Sequence, residues 1–356
     1  MFEEESGINV LEKFSSMQGA CNAFTNYEYT AYYVNGVDNL KENLSFLLDY
    51  VQNPYFTDEN VEKEKGIINQ ERLMTLDNPY RTFNMRILKN IFNNYEYGKS
   101  IVGEKDEIYS ITKEDLYRCY NTFYNPSNMS VIVVSNQKEE DIINLIKENQ
   151  SKKTFTHQDA ISIKLPKEEN KVNKEYDEFK DNVVKNEVAY SIKFNLNDIN
   201  FDKDKLGIYS KILLISNFSK MSDFNLKLKQ DGIINGNLGY SASKYKDFAI
   251  ASVTASTNNI DKTIESIKDK FNNLDINEEK FNLLKKSMIS DFVYSFTTTE
   301  SIMNFLYSNY YENKEIKGDL FTKYKEINFE EYKNVIKSID FSNVSITVMK
   351  PLKDKE

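Results

Sequence analysis

The sequence predicts an α+β protein made of two related units, of which the first is incomplete. Both halves of the 356 residues contain segments with helical and with strand periodicity. Residues 151–185 are polar and charged, with Pro166 in their middle, which is typical of a linker between domains. We therefore predict an N-terminal domain over residues 1–150, a linker over 151–185 and a C-terminal domain over 186–356.

A short internal repeat supports the two related units. The eight residues that begin at Ser127 match the eight that begin at Ser342, 215 positions later, and each copy follows a predicted helix. If both halves are copies of one unit, the first half should also need about 215 residues to reach its closing strand. Residue 134 already ends that strand, so the expectation is that roughly 80 residues are missing before Met1.

The elements of the first half follow from periodicity and capping residues. β-Branched and aromatic residues over 20–34 predict two strands with a turn near Asn26. The apolar run 129–134 predicts a closing strand. Helices are expected where apolar residues recur every three or four positions, often after a capping residue or before a proline: residues 7–18, 38–53, 57–74, 85–91, 112–120 and 139–149.

The second half repeats the mixture of strands and helices. Alternation and β-branched residues predict strands over 188–194, within 239–257 and over 344–349. Helical periodicity predicts the remaining elements: residues 204–216, 220–230, 260–274, 278–292, 299–311 and 329–339.

Composition excludes several classes of function. The formal net charge is -9 and there is no basic block, which argues against nucleic acid as a partner. No apolar run is long enough to span a membrane. Cys21 and Cys119 are too few for a disulfide framework, which favours a reducing, cytoplasmic location. The single histidine, His157, lies in the predicted linker, so the chain lacks the parts for histidine-dependent catalysis.

The predicted helix over 57–74 has two interpretations. Val61, Glu64, Ile68 and Glu71 fall on one stripe, because seven residues return a helix to nearly the same direction. The stripe can be an accident of a solvated, charged helix. Alternatively, Glu64 and Glu71 lean inward with the two apolar residues, and Glu71 then faces a metal or another cation, since a buried carboxylate needs one.

Several motifs in order resemble the insulinase/pitrilysin family of zinc peptidases, which includes the mitochondrial processing peptidase. Within that family, the resemblance is closest to bacterial members grouped with elongation factor P modification. It covers residues 1–134 closely and the second half more loosely. The motifs are Asn22-Ala23-Phe24-Thr25, Thr30-Ala31-Tyr32, Glu64 with Glu71, Ile101-Val102-Gly103-Glu104, and Tyr124-Asn125-Pro126-Ser127-Asn128-Met129.

The resemblance implies a fold and a chemistry. The fold has two related units, each a mainly antiparallel sheet with helices packed on it. Family members carry an H-x-x-E-H motif whose histidines bind zinc and whose glutamate activates water. Glu71 matches the third zinc ligand, and Glu64 matches the acidic residue one heptad earlier. Asn22, Ala23, Phe24 and Thr25 match a substrate-binding edge strand. Lys244 and Tyr245 are further substrate-binding candidates, or else solvated residues of a strand turn.

The sequence departs from the family at its decisive motif, because H-x-x-E-H is absent. A lone Glu71 cannot hold a catalytic zinc, which needs three protein ligands. We therefore expect no catalytic residue and no zinc bound by this chain alone.

Two hypotheses follow. One is a truncated copy of an active peptidase. The other is a non-catalytic subunit that binds peptide or unfolded polypeptide and pairs with itself or with a complete family member. A third hypothesis is an enzyme with another chemistry, but the sequence contains no phosphate loop, nucleophile elbow or C-x-x-C that would support it.

Overall fold

A computed structural model describes Gly7, residues 9–313 and residues 315–352 of the protein. Its strands are β1 Gly19–Thr25, β2 Thr30–Gly36, β3 Tyr176–Asp181, β4 Asn186–Asn195, β5 Gly239–Tyr245, β6 Phe248–Thr257 and β7 Val344–Pro351. Its α-helices are α1 Val10–Ser16, α2 Leu40–Val51, α3 Asp58–Leu76, α4 Pro79–Ile91, α5 Lys105–Ser110, α6 Lys113–Phe123, α7 Glu139–Ser151, α8 Lys203–Phe218, α9 Asp223–Gln230, α10 Ile260–Asn272, α11 Glu278–Tyr294, α12 Thr299–Asn313, α13 Leu320–Glu326 and α14 Phe329–Ser338.

The chain divides into two compact units whose boundaries differ from the predicted ones. The first unit comprises residues 1–77 and 99–165, and the second comprises residues 78–98 and 166–356. Helix α4, which precedes residue 150, therefore belongs to the second unit. So does the part of the predicted linker after residue 165, where β3 forms.

The first unit contains an antiparallel hairpin of β1 and β2. Its turn forms where the sequence predicts it, because Asn26 N–H donates to Tyr29 O at 3.0 Å and the Asn26 side chain accepts from two further N–H groups of the turn. The predicted strand over 129–134 is wrong, since these residues form no strand among the described residues. An apolar run becomes a strand only when a neighbour pairs with its backbone.

The second unit is built on a five-stranded sheet of order β3-β7-β4-β6-β5. β3 runs parallel to β7, and the other neighbours are antiparallel, so the predicted mainly antiparallel sheet is confirmed. The second copy of the repeat, β7, has strands on both sides. It is thus a central strand, unlike the first copy.

Helices cover both faces of this sheet. Tyr190, Ile192 and Val253 point to one face, where they pack with α8 and α10. Ala189 and Met349 point to the other face, where they meet apolar side chains of α4. The alternation of side chains along each strand explains why neighbours in sequence face different helices.

A fully buried ion pair fastens α4 to the sheet. The side chains of Lys193 and Glu168 are both 0% exposed, and Lys193 Nζ donates to Glu168 Oε1 at 2.6 Å. Lys193 Nζ also donates to the carbonyl oxygens of Ile91 at 3.0 Å and Glu169 at 2.7 Å. The Nζ atom lies 4.7 Å from the centroid of the Phe248 ring. Lys193 therefore has a contact in α4, in the segment before β3 and in β6.

The carboxylate of Glu168 likewise has several hydrogen-bond donors. It accepts from the backbone N–H groups of Asn93, Asn94 and Tyr95 at 2.7–2.9 Å. Burial alone raises the pKa of Glu168, but the hydrogen bonds from Lys193 and from these three N–H groups outweigh burial and lower that pKa. The pair thus joins β4, the chain after α4, and the segment that leads into β3.

Replacing either member of this pair should destabilise the second unit strongly. Lys193→Met or Glu168→Gln leaves one buried charge without its counter-ion, so we expect a loss of about 3–5 kcal/mol in the free energy of unfolding, measured by urea titration. Lys350→Gln is the matched control. Lys350 pairs with Glu178 at 2.7 Å, but both side chains are about one-third exposed, so that loss should stay below about 1 kcal/mol.

The same pair predicts a pH dependence. Because the folded pKa of Glu168 is lowered, its contribution is present above the ordinary glutamate pKa of about 4.3. It disappears as the pH falls through the folded pKa. The stability difference between wild type and Glu168→Gln should therefore shrink in acid, and a difference that grew in acid would contradict the assignment.

Candidate functional site

Helix α3 begins where its capping residues predict. Thr57 Oγ1 accepts from the N–H of Asn60 at 3.1 Å, and Asn60 Oδ1 accepts from the N–H of Thr57 at 2.8 Å. This reciprocal capping box satisfies two backbone donors that the first turn would otherwise leave without partners.

The predicted inward orientation of Glu71 is wrong for the described structure. Along the stripe, Val61 is buried, Glu64 and Ile68 are partly buried, and Glu71 is exposed. The physical reason is that the buried residues of α3, Asn60, Val61 and Lys65, all lie in its first turns. The later turns are uncovered, so a carboxylate there reaches water at no cost in desolvation.

The uncovered part of α3 also exposes apolar side chains. Ile67 is 52% exposed and Met74 is 72% exposed. They lie four residues before and three residues after Glu71, so the three side chains share one face of the helix. Glu71 therefore lies on an exposed face that is partly apolar.

The described residues do not fit a zinc ion. No three side chains of His, Cys, Asp and Glu among them are grouped to hold a metal, whereas a catalytic zinc needs three protein ligands. His157 and Glu71 do not belong to such a group; the His157 side chain is 91% exposed and lies 3.5 Å from Asp159. These residues therefore support neither a bound zinc ion nor a water molecule activated by zinc.

The hairpin strand β1 has an outward-facing edge at the predicted substrate-binding residues. Asn26 and Tyr29 form a hydrogen-bonded pair, and such pairs alternate along an antiparallel ladder. Asn22 and Phe24 therefore bond across to β2, and Ala23 between them turns its N–H and C=O away from β2. The N–H of Ala23 accordingly donates to the Asn22 side chain, at 2.8 Å.

The side chains of this segment are accessible as well. Asn22, Phe24 and Thr25 are exposed and Ala23 is half-buried. Phe24 packs edge-on against Tyr33 of β2, with ring centroids 6.4 Å apart. The four predicted residues thus form one accessible strand with a partly aromatic surface.

Lys244 and Tyr245 lie on opposite faces of β5. Lys244 is exposed and pairs across the ladder with Ala249, on the face that α8 covers. Tyr245 lies on the other face, where its ring is 4.8 Å from that of Tyr97, and burial raises its pKa. The structure therefore does not bring these two residues together for one ligand.

A second carboxylate, which the sequence did not single out, lines a cavity in the second unit. Glu187 borders a cavity of about 230 Å³ together with Tyr80 and Ser256. The Tyr80 hydroxyl donates to Glu187 Oε1 at 3.3 Å, and burial raises the pKa of Glu187. In the sequence Glu187 is one glutamate before an apolar strand, so no periodic signal distinguishes it.

Comparison with known proteins assigns the family. The family model described as insulinase (peptidase family M16) matches residues 3–105, and the model described as the peptidase M16 inactive domain matches residues 110–288. The uncharacterised zinc protease YmfH of Bacillus subtilis is 33% identical over 340 residues, which are 94% of this chain and 79% of that protein.

Solved structures agree. An M16-like peptidase structure from Alicyclobacillus acidocaldarius has a TM-score of 0.88 and 26% identity, covering 98% of this chain and 84% of that one. A Helicobacter pylori protease has a TM-score of 0.84 at 16% identity, covering 98% of this chain and 86% of that one, which supports the fold alone. No helix in the described residues has the length and apolarity to cross a membrane. The chain belongs to the insulinase, or M16, family of zinc peptidases.

Proposed function

We propose that this chain is a member of the M16 peptidase family that binds extended peptides and does not hydrolyse them by itself. One observation carries the proposal: the 356 residues contain no H-x-x-E-H and a single histidine. The exposure of Glu71 supports it, because a lone exposed carboxylate is a weak ligand for zinc. Zinc belongs to the relatives, which are named zinc proteases, and we propose that this chain alone does not retain it.

The open edge of β1 supports peptide binding. An extended peptide can pair with the outward N–H and C=O groups of Ala23, and the neighbouring exposed side chains then contact its residues. The net charge of -9 suits cationic peptides. Because strand addition uses backbone groups, the binding should tolerate many peptide sequences.

We propose that a complete family member pairs with this chain. The exposed face of α3 at Ile67 and Met74 supports this, since adjoining exposed apolar side chains often mark a contact surface. Size-exclusion chromatography of this chain with a relative that carries H-x-x-E-H tests the pairing. Co-elution that Met74→Glu abolishes supports it, and separate elution of the two proteins opposes it.

A cytoplasmic location is part of the proposal. Cys21 and Cys119 are both free thiols, as proteins of a reducing compartment usually have. Fractionation of the source cells tests this, and recovery of the chain outside the cytoplasm would contradict it.

A second candidate function is zinc-dependent hydrolysis with ligands from further polypeptide, in cis or in trans. The segment 129–134 favours it, because its repeat counterpart β7 is paired on both sides whereas this segment forms no strand. Genomic DNA upstream of Met1 tests the cis form. An in-frame H-x-x-E-H there supports it, and a stop codon without that motif excludes it.

We expect the purified 356-residue chain to contain no stoichiometric zinc and to leave a quenched fluorescent peptide uncut, with or without added zinc. Glu71→Gln should change neither result, because three ligands are needed and the described residues do not gather them. Metal analysis by mass spectrometry and a fluorescence assay measure this. One bound zinc per chain that is lost in Glu71→Gln would overturn the proposal.

Ala23→Pro should weaken peptide binding by about tenfold or more, because proline removes the outward N–H that an added strand would use. The ladder to β2 uses the neighbouring residues, so the hairpin should remain folded. Fluorescence anisotropy of a labelled, lysine-rich peptide of twelve residues measures the binding. Ala23→Val keeps the N–H and should bind normally, and equal binding by both variants would exclude this edge.

A further inference from the structure

A second cavity in the second unit lies between helix α8 and the sheet. Its volume is about 140 Å³. Leu206 and Leu213 line it from the helix, and Phe194, Ala249 and Phe341 line it from the other side. A cavity of about 150 Å³ with such a lining can hold one benzene ring. The interior therefore suits one apolar group of about the size of that ring.

The charged groups that border this cavity are all cationic. Lys203 and Lys211 of α8 and Lys244 of β5 belong to its lining, together with two serines, and no aspartate or glutamate does. Lys211 and Lys244 are exposed and have no carboxylate within 4.0 Å among the described residues. In a chain of net charge -9, this is a local concentration of positive charge beside an apolar space.

Helix α8 leaves space at this cavity. Gly207 borders the cavity, and a Cβ atom built there meets no atom within 4 Å. Glycine in the interior of a helix costs roughly 1 kcal/mol relative to alanine. Helix α8 therefore has a poor helix former at an exposed position on the rim of the cavity, where a side chain would begin to cover it.

We propose that this cavity binds a medium-chain alkyl carboxylate, with the alkyl chain against Leu206 and Phe194 and the carboxylate at Lys211 and Lys244. Apolar cavities with a few convergent polar groups are the usual form of small-molecule sites. The carboxylate gains charge-assisted hydrogen bonds from two ammonium groups that otherwise face only water. None of the residues that line this cavity belongs to the β1 edge.

Isothermal titration of the full chain with octanoate tests the proposal. We expect saturable binding of one octanoate per chain. The Lys211→Gln, Lys244→Gln double variant should bind about tenfold more weakly, and Lys268→Gln, an exposed lysine of α10, should bind as wild type does. Octylamine, which has the same number of carbon atoms and the opposite charge, should not bind. Equal affinity for octanoate and octylamine would overturn the proposal.

Filling the cavity gives an independent test. Gly207→Leu places a side chain in the alkyl site and should abolish octanoate binding, while leucine favours the helix and keeps the melting temperature unchanged or higher. Gly207→Ala adds one methyl group and should still bind. Unchanged octanoate binding by Gly207→Leu would locate the ligand elsewhere. Tighter binding of N-acetylleucine than of octanoate would overturn the assignment to a straight-chain acid.

Discussion

The buried pair of Lys193 and Glu168 is the interaction on which the second unit depends. Two charges removed from water destabilise a fold unless other groups replace the lost solvent. Here three backbone N–H groups and several carbonyl oxygens do so, within a shell of aromatic rings. These groups come from separate stretches of the chain. The pair therefore fixes how those stretches pack together, and this role is larger than its net contribution to the free energy of unfolding.

The chain shares the fold of its family but lacks the family's catalytic motif. The fold, the family models and the relatives agree on an M16 peptidase. The H-x-x-E-H motif, however, is not in this sequence. What this chain has is a strand with backbone groups that do not pair with β2, and a helix whose later turns expose one face. We propose that those features serve contact with polypeptide; by themselves they do not activate water.

Local features of this fold were predictable from the sequence. The cap of α3 at Thr57 and the turn at Asn26 both depend on residues within a few positions of each other. The alternation of side chains along β5 also separates Lys244 from Tyr245, and it could have been used to reject them as a pair.

Features that depend on distant partners were not predictable. The segment 129–134 has the composition of a strand, yet pairing depends on what lies beside it. The stripe on α3 showed that Glu71 points in nearly the same direction as Val61. It did not show which turns of the helix are covered by other parts of the chain. The ion pair joins residues 25 positions apart, and neither residue belongs to a motif. In each case the sequence indicates the structure that a residue favours, but the contacts of that residue depend on the tertiary fold.

The position of α4 has a consequence for how the chain responds to a protease. The irregular, mostly exposed residues 154–165, between α7 and β3, are where a protease would cut most readily. The N-terminal fragment would then still carry α4, whose Phe83, Ile87 and Ile91 are buried against the sheet of the second unit. Cleavage there would therefore nick the protein without releasing its two pieces, which would separate only on denaturation.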